Sequence, residues 1–314
     1  MPLPTDQHVV ETSKGLVETL HGIFGPHPGF RPAHAKGLLL KGTFTPTETA
    51  KSLSTAQHFT TPSTPVIVRF SSSTGIPNLP DTDPNGNPRG IAIRFRLAET
   101  PRRVHTDIVA HSVDGFPGSN GDEALAFFRS LADGSIGAFL ATHPKAAAFV
   151  QTPKPFPESF ATERFFGVNA IKLVGADGRG TFVRYRVEPA AGFRTLSDEE
   201  VKARSANYLF DEVPARLAAG GTIVFRLTAQ VAEEGDVTDD ACAHWPEERK
   251  VVELGTVTLD GLLEDGAAEQ QHIIFDPVPR VPGLEPSADP LLDVRAGVYL
   301  ISGKERRAAP PTAA

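Results

Sequence analysis

Three stretches of the chain carry side chains able to do chemistry. RPAHAKG, from Arg31 to Gly37, sets His34 three residues after Arg31 and just ahead of a strand-like run. Imidazole trades protons readily near neutral pH, although a lone histidine is more often a structural or surface residue. PVIVRFSSSTG, from Pro65 to Gly75, puts Arg69 inside an apolar run with Ser71 two residues on. An inward guanidinium there must be paired; the plainer reading makes Arg69 the exposed half of an alternating strand. In RAGVY, Arg295 and Tyr299 stand four apart, so a helix presents both on one face. A tyrosine that acts as phenolate near neutral pH needs its ordinary pKa of about 10 lowered, and a nearby guanidinium does that. The pair suits a tyrosinate metal ligand, and it is also a routine helical pair. Cys242, His244 and Trp245 in CAHW lack enough partners for a metal cage and read as a loop with a buried thiol and an aromatic anchor.

The elements that must position these groups follow from period. Runs at 36–45, 65–70, 90–97 and 104–110 read as strands, and NPRG at 87–90 as a turn into the third. Apolar residues at helical spacing, Leu125, Phe128 and Leu131, predict helices over 122–140 and 144–150. Strands are expected again at 168–175 and 180–187, joined by Ala-Asp-Gly, and at 221–231 and 250–259. Between them Ser197 and Glu200 form a capping box that opens a helix expected to reach Leu217. Eight mostly antiparallel strands suit a closed barrel. The Pro-rich stretch 260–290 reads as an extended wrapping segment leading to a helix at 288–302, and the end of the chain as a loose tail.

Composition narrows the class of protein. With 314 residues, 40% of them apolar, the chain can bury a large core. Its net charge of −7 argues against nucleic acid as a partner. No run approaches the roughly 18 consecutive apolar residues of a membrane span, and the first thirty residues lack a secretory core, so a cytoplasmic protein is expected. One cysteine excludes an internal disulfide framework.

HAKG, TPVIVRFS, NPRGIAIRF, FFGVNAIKLVGADG and FDPVPRVPGLEPSADPLLDVRAGVY, in this order over roughly 30–306, resemble the haem catalases. The last motif is highly specific. Typical catalases are longer at both ends, so the chain looks like the minimal, catalase-related peroxidase branch. The resemblance implies an α+β fold, an eight-stranded antiparallel catalase-type barrel with inserted helices. It divides the chain into an N-terminal arm at 1–30, a haem-binding domain at 31–306 and a flexible tail at 307–314. Within the domain the barrel spans about 36–259, and the wrapping segment and proximal helix about 260–303.

The cofactor so implied is haem, of the b type with ferric iron. His34 matches the distal histidine, Ser71 the serine that orients it, Tyr299 the iron ligand and Arg295 the arginine that stabilises its phenolate. Arg31 and Arg69 match two of three arginines that neutralise the propionates, and Arg306 falls where the third would lie. His111 stands where the family has an asparagine, as a second acid/base or a bulky filler, and Phe116 is a candidate to pack on the haem face. The reading is a peroxidase that reduces hydrogen peroxide or organic hydroperoxides with a small organic reductant, a monomer or homodimer, with weak catalase activity. Its rivals are a small true catalase, an allene oxide synthase-like isomerase and a non-enzymatic haem carrier or sensor.

Overall fold

The structure, a computed structural model, describes residues 3–311. Residues alternating between two faces define its centre. Eight strands, β1 (Gly37–Pro46), β2 (Thr64–Ser71), β3 (Gly90–Ala98), β4 (Val104–His111), β5 (Phe165–Phe166), β6 (Gly180–Pro189), β7 (Ile223–Val231) and β8 (Val251–Leu262), pair antiparallel with their neighbours in sequence. Pairing of β8 with β1 closes the ring. It is an up-and-down barrel without free edges, as the resemblance implies.

The strand expected at 168–175 is divided. β5 and Ile171–Val174 lie one after the other along the same edge of β6, and β5 reaches β4 through the single pair His111 with Phe166. Between the two pieces Asn169 turns its amide to Asp289, 2.7 Å away. The ring therefore closes at its narrowest point beside a candidate site residue.

The interior is filled from one parity of each strand. Phe44, Phe70, Phe95, Phe165 and Phe225 are fully buried there, and Phe70 stacks on Phe160 with centroids 4.7 Å apart. Each such side chain contributes about 1.5–3 kcal/mol on burial. The opposite parity puts Arg69, Ser71, Gly90, Ala92, Val109 and His111 on the outer face. Arg69 is outward, yet only 3% exposed, because the segment after β8 covers it.

That segment is less extended than expected. It holds a helix, Gly266–His272, and a short strand, Leu284–Pro286, paired with Ile171–Val174. The helix expected from 198 to 217 is two, Asp198–Lys202 and Tyr208–Ala218. The capping box forms at Ser197, but Asp81 accepts from the Leu209 and Phe210 N–H groups at 2.9 and 3.3 Å and starts the second helix afresh.

The first thirty residues carry an 18-residue helix, Gln7–Phe24, capped by Asp6. It crosses the C-terminal helix so closely that a Cβ on Gly297 would lie 2.3 Å from Ser13 Oγ. The C-terminal helix runs from Leu291 to Ala308, beyond the expected 302, and takes in Arg307 and Ala308 of the expected tail. Residues 312–314 of that tail lie outside the described residues. In the CAHW loop Cys242 Sγ meets the Phe116 carbonyl at 3.0 Å and Trp245 Nε1 donates to Val237 O at 2.7 Å. No helix among the described residues is long and apolar enough to cross a membrane.

Candidate active site

The outer face of β2, β3 and β4 forms one wall of a cavity with about 1380 Å³ of empty space, part of it open to solvent. The C-terminal helix forms another wall with Leu291, Val294, Arg295, Val298, Tyr299, Ser302 and Arg306, a stripe at intervals of three and four. Leu16 and Leu20 of the N-terminal helix, with Phe116, Ala124 and Phe128, complete an apolar lining. All nine residues singled out in the sequence, Arg31, His34, Arg69, Ser71, His111, Phe116, Arg295, Tyr299 and Arg306, line this cavity.

His34 sits with φ at +58°, a left-handed backbone that costs a non-glycine residue about 1 kcal/mol. Bonds from its N–H to Ser73 O at 3.0 Å and from Ala35 N–H to Thr74 O at 2.9 Å hold it there. Its Nδ1 lies 3.0 Å from Ser71 Oγ, and its Nε2 has no hydrogen-bond partner among the described residues. Gly90 makes the pairing possible, since a Cβ there would come within 2.6 Å of Ser71 Oγ and 2.8 Å of His34 Nδ1. Burial, reinforced by the cations Arg69 and Arg31, pushes His34 down to about 3, so it is neutral at physiological pH.

Arg31, Arg69 and Arg306 cluster without a counter-ion. Arg31 donates to Gln270 O at 3.1 Å and Ile273 O at 3.0 Å, and Arg69 to Gln270 Oε1 at 3.1 Å and to the carbonyls of His34 and Ala35. Arg306 donates to Ser302 Oγ at 2.7 Å and Ile273 O at 2.8 Å, and its Nε is buried and unpaired. Among the described residues no carboxylate pairs with any of the three. Burial and mutual repulsion lower Arg31 strongly and Arg69 to about 9; burial brings Arg306 to about 10. Gly37 clears the space for Arg69, whose guanidinium would stand 2.1 Å from a Cβ there. Two buried cations and a half-buried third, with no carboxylate paired to them among the described residues, are expensive unless a ligand brings negative charge.

Tyr299 OH accepts from Arg295 Nη2 at 3.2 Å. Arg295 also donates to Asn169 Oδ1, and Asn169 donates to Asp289 Oδ2 at 2.7 Å. Asp289 in turn accepts from the Leu291 N–H at 2.9 Å, which ties this relay to the start of the C-terminal helix. The sequence reading missed Gln270, Asn169 and Asp289. Asn169 and Asp289 lie within the family-like motifs, whereas Gln270 stands in a stretch with no signal at all. His111 Nε2 is buried and has no hydrogen-bond partner among the described residues, and burial lowers the ring to about 4.

The barrel's outer wall thus presents a histidine–serine pair to a tyrosine on the C-terminal helix, across one cavity. The sequence model of the catalase family matches residues 29–114 and 138–310. The chain belongs to the catalase family. It is 33% identical over 307 residues to a catalase-related peroxidase of Mycolicibacterium paratuberculosis, covering 94% of this chain and 95% of that one. A second protein of that name, from Synechococcus elongatus, is 30% identical over 94% of this chain and 88% of its own length. Among solved structures, a fungal catalase superposes with a TM-score of 0.78 at 22% identity, and catalase A from Saccharomyces cerevisiae with 0.77 at 21%. Each match covers 88% of this chain, which spans only 59% and 61% of those catalases.

Family membership implies haem, and the cavity fits it on geometry. Two propionates would bring negative charge to the three arginines, Tyr299 offers an oxygen donor, and the apolar walls suit a flat macrocycle.

Proposed function

We propose that this protein is a haem peroxidase that reduces hydrogen peroxide or an organic hydroperoxide at the expense of a small organic donor, with ferric haem b and only weak oxygen release. The observation that carries this reading is His34, fixed through Nδ1 on Ser71 with Nε2 left to the cavity. Mere storage of haem needs no such base.

When bound, haem supplies the iron that accepts the oxidising equivalents of peroxide and passes them to the donor. Arg31, Arg69 and Arg306 would hold its propionates, and Tyr299 its iron. Arg295 holds the Tyr299 oxygen in place by a hydrogen bond from its guanidinium. With the Nδ1 proton donated to Ser71 Oγ, Nε2 carries the lone pair. Nε2 takes the proton from one peroxide oxygen and returns it to the departing one, so that water or an alcohol leaves rather than its anion. Burial that keeps His34 neutral keeps this base available well into the acid range.

Two relatives named catalase-related peroxidase over nearly their whole length support the peroxidase reading over the small catalase. So does His111, where an asparagine is expected. The test compares oxygen evolution from hydrogen peroxide with oxidation of a chromogenic donor by the same haem-loaded sample. Strong donor oxidation with little oxygen is expected. Vigorous oxygen release would make it a small catalase, and turnover of a lipid hydroperoxide without reductant would make it an isomerase.

A further inference from the structure

The NPRG turn at 87–90 places Arg89 directly behind the face that carries the site. Ser71, Gly90 and His111 are paired across β2, β3 and β4 on that face, and Ser71 holds His34 Nδ1. Their chain neighbours Ser72, Arg89 and Ser112 form a second row, and Arg89 ties the row together. Its Nη1 donates to Ser72 Oγ at 2.6 Å. Its N–H donates to Ser112 Oγ at 2.9 Å, and its carbonyl accepts from the Ser112 N–H at 2.8 Å.

The same guanidinium reaches the loop that carries His34. Nη2 donates to the Asp81 carbonyl at 2.6 Å, while the Asp81 carboxylate pairs with Lys36 at 2.7 Å. Ser72 N–H donates to the Lys36 carbonyl at 3.2 Å. Both arms of Arg89 therefore lead to Lys36, two residues after His34. Arg89 is wholly buried, and no carboxylate pairs with it among the described residues. A guanidinium desolvated to that degree is costly. What it joins is the support of a strained residue, for His34 keeps its left-handed backbone while its loop lies against Ser72, Ser73 and Thr74. Such strain persists where the surroundings over-determine it.

We propose that Arg89 is a positioning residue for His34, fixing through Ser72 and Asp81 the strand end and the loop that aim Nε2 into the cavity. Arg89 itself does not line that cavity. The inference rests on the peroxidase reading, in which His34 is the base. A misplacement of about 1 Å can slow a reaction about a hundredfold.

Cyanide binding to the ferric, haem-loaded protein near neutral pH reads the base without turnover. Hydrogen cyanide must give up its proton to bind as the anion, whereas nitric oxide carries no proton and needs no base. With each ligand mixed rapidly and the Soret band followed, R89M should slow cyanide about 10- to 100-fold and leave nitric oxide within about twofold. H34A should slow cyanide at least as much, and R89M added to H34A should slow it no further, because residues acting as one unit are not additive. Should R89M fail to fold or to load haem, S72A, which removes one hydroxyl, makes the same comparison with a loss of about tenfold. Unaltered cyanide rates in R89M and S72A overturn the proposal, as does a loss that nitric oxide shares or that adds in full to the loss in H34A. If H34A itself binds cyanide at the unaltered rate, His34 is not the base, and the peroxidase reading fails together with this inference.

Discussion

Three arginines and one tyrosine are the proposed haem-binding residues, and each can be tested singly. Tyr299→Phe should weaken haem binding by at least about a hundredfold, read from a Soret titration of the apoprotein, since loss of even outer-shell support commonly costs metal sites 10- to 100-fold. His34→Ala should retain haem and lose about 10²–10⁴-fold in donor oxidation, the range of a positioned acid/base. Full activity in that variant would remove His34 from the mechanism. Asn169 acts through others: Asn169→Leu would leave Asp289 and Arg295 without their shared amide. A loss of stability of about 1–3 kcal/mol is expected, with a shifted Soret band as the sign that Tyr299 is no longer held by Arg295.

Among the elements, Asp81 joins parts of the chain that no local pattern connects. It is fully buried, pairs with Lys36 Nζ at 2.7 Å and accepts from the backbone at the start of Tyr208–Ala218. Lys36 is two residues from His34, so this helix and the distal loop share one buried carboxylate. Asp81→Ala should cost about 3–5 kcal/mol, because it removes the carboxylate that pairs with Lys36 and leaves two amide donors unpaired. Urea unfolding gives the magnitude. Hydrogen exchange at Leu209 and Phe210 shows whether the helix start is where protection is lost.

At the scale of the whole molecule, acid should be the vulnerable direction. His58 is buried against Phe59 and Phe95, with ring centroids 4.0 and 4.5 Å away, and burial takes it down to about 3. Its Nδ1 has no hydrogen-bond partner among the described residues. The unfolded chain protonates this histidine near pH 6.5 and the folded chain does not, so its stability contribution is intact above 6.5 and is lost as pH falls towards 3. The slope is about 1.4 kcal/mol per pH unit for one such group. His58→Leu should therefore flatten the decline in unfolding free energy between pH 6.5 and 4. An unchanged slope would mean that His58 is protonated in the fold. Haem should raise Tm, by an amount that grows with the logarithm of its affinity at fixed excess, because only the folded cavity brings the proposed ligands together.

The sequence by itself determined seven of the eight barrel strands, all but Phe165–Phe166, because a period of two is a local property, and it determined that Arg295 and Tyr299 meet, because four residues are one helical turn. Its ordered motifs also pointed to the family and to every residue of the cavity that was named. The tertiary structure decided what lies between distant partners. Ser71 meets His34 across 37 positions and Gln270 meets Arg69 across 201. It settled that Arg69 is outward yet buried, since alternation gives a side chain its face but not what covers that face. It divided the helix after Ser197, because the carboxylate that starts the second half comes from Asp81. It left His111 Nε2 without a hydrogen-bond partner among the described residues, on a face that only the pairing of three strands across Gly90 assembles.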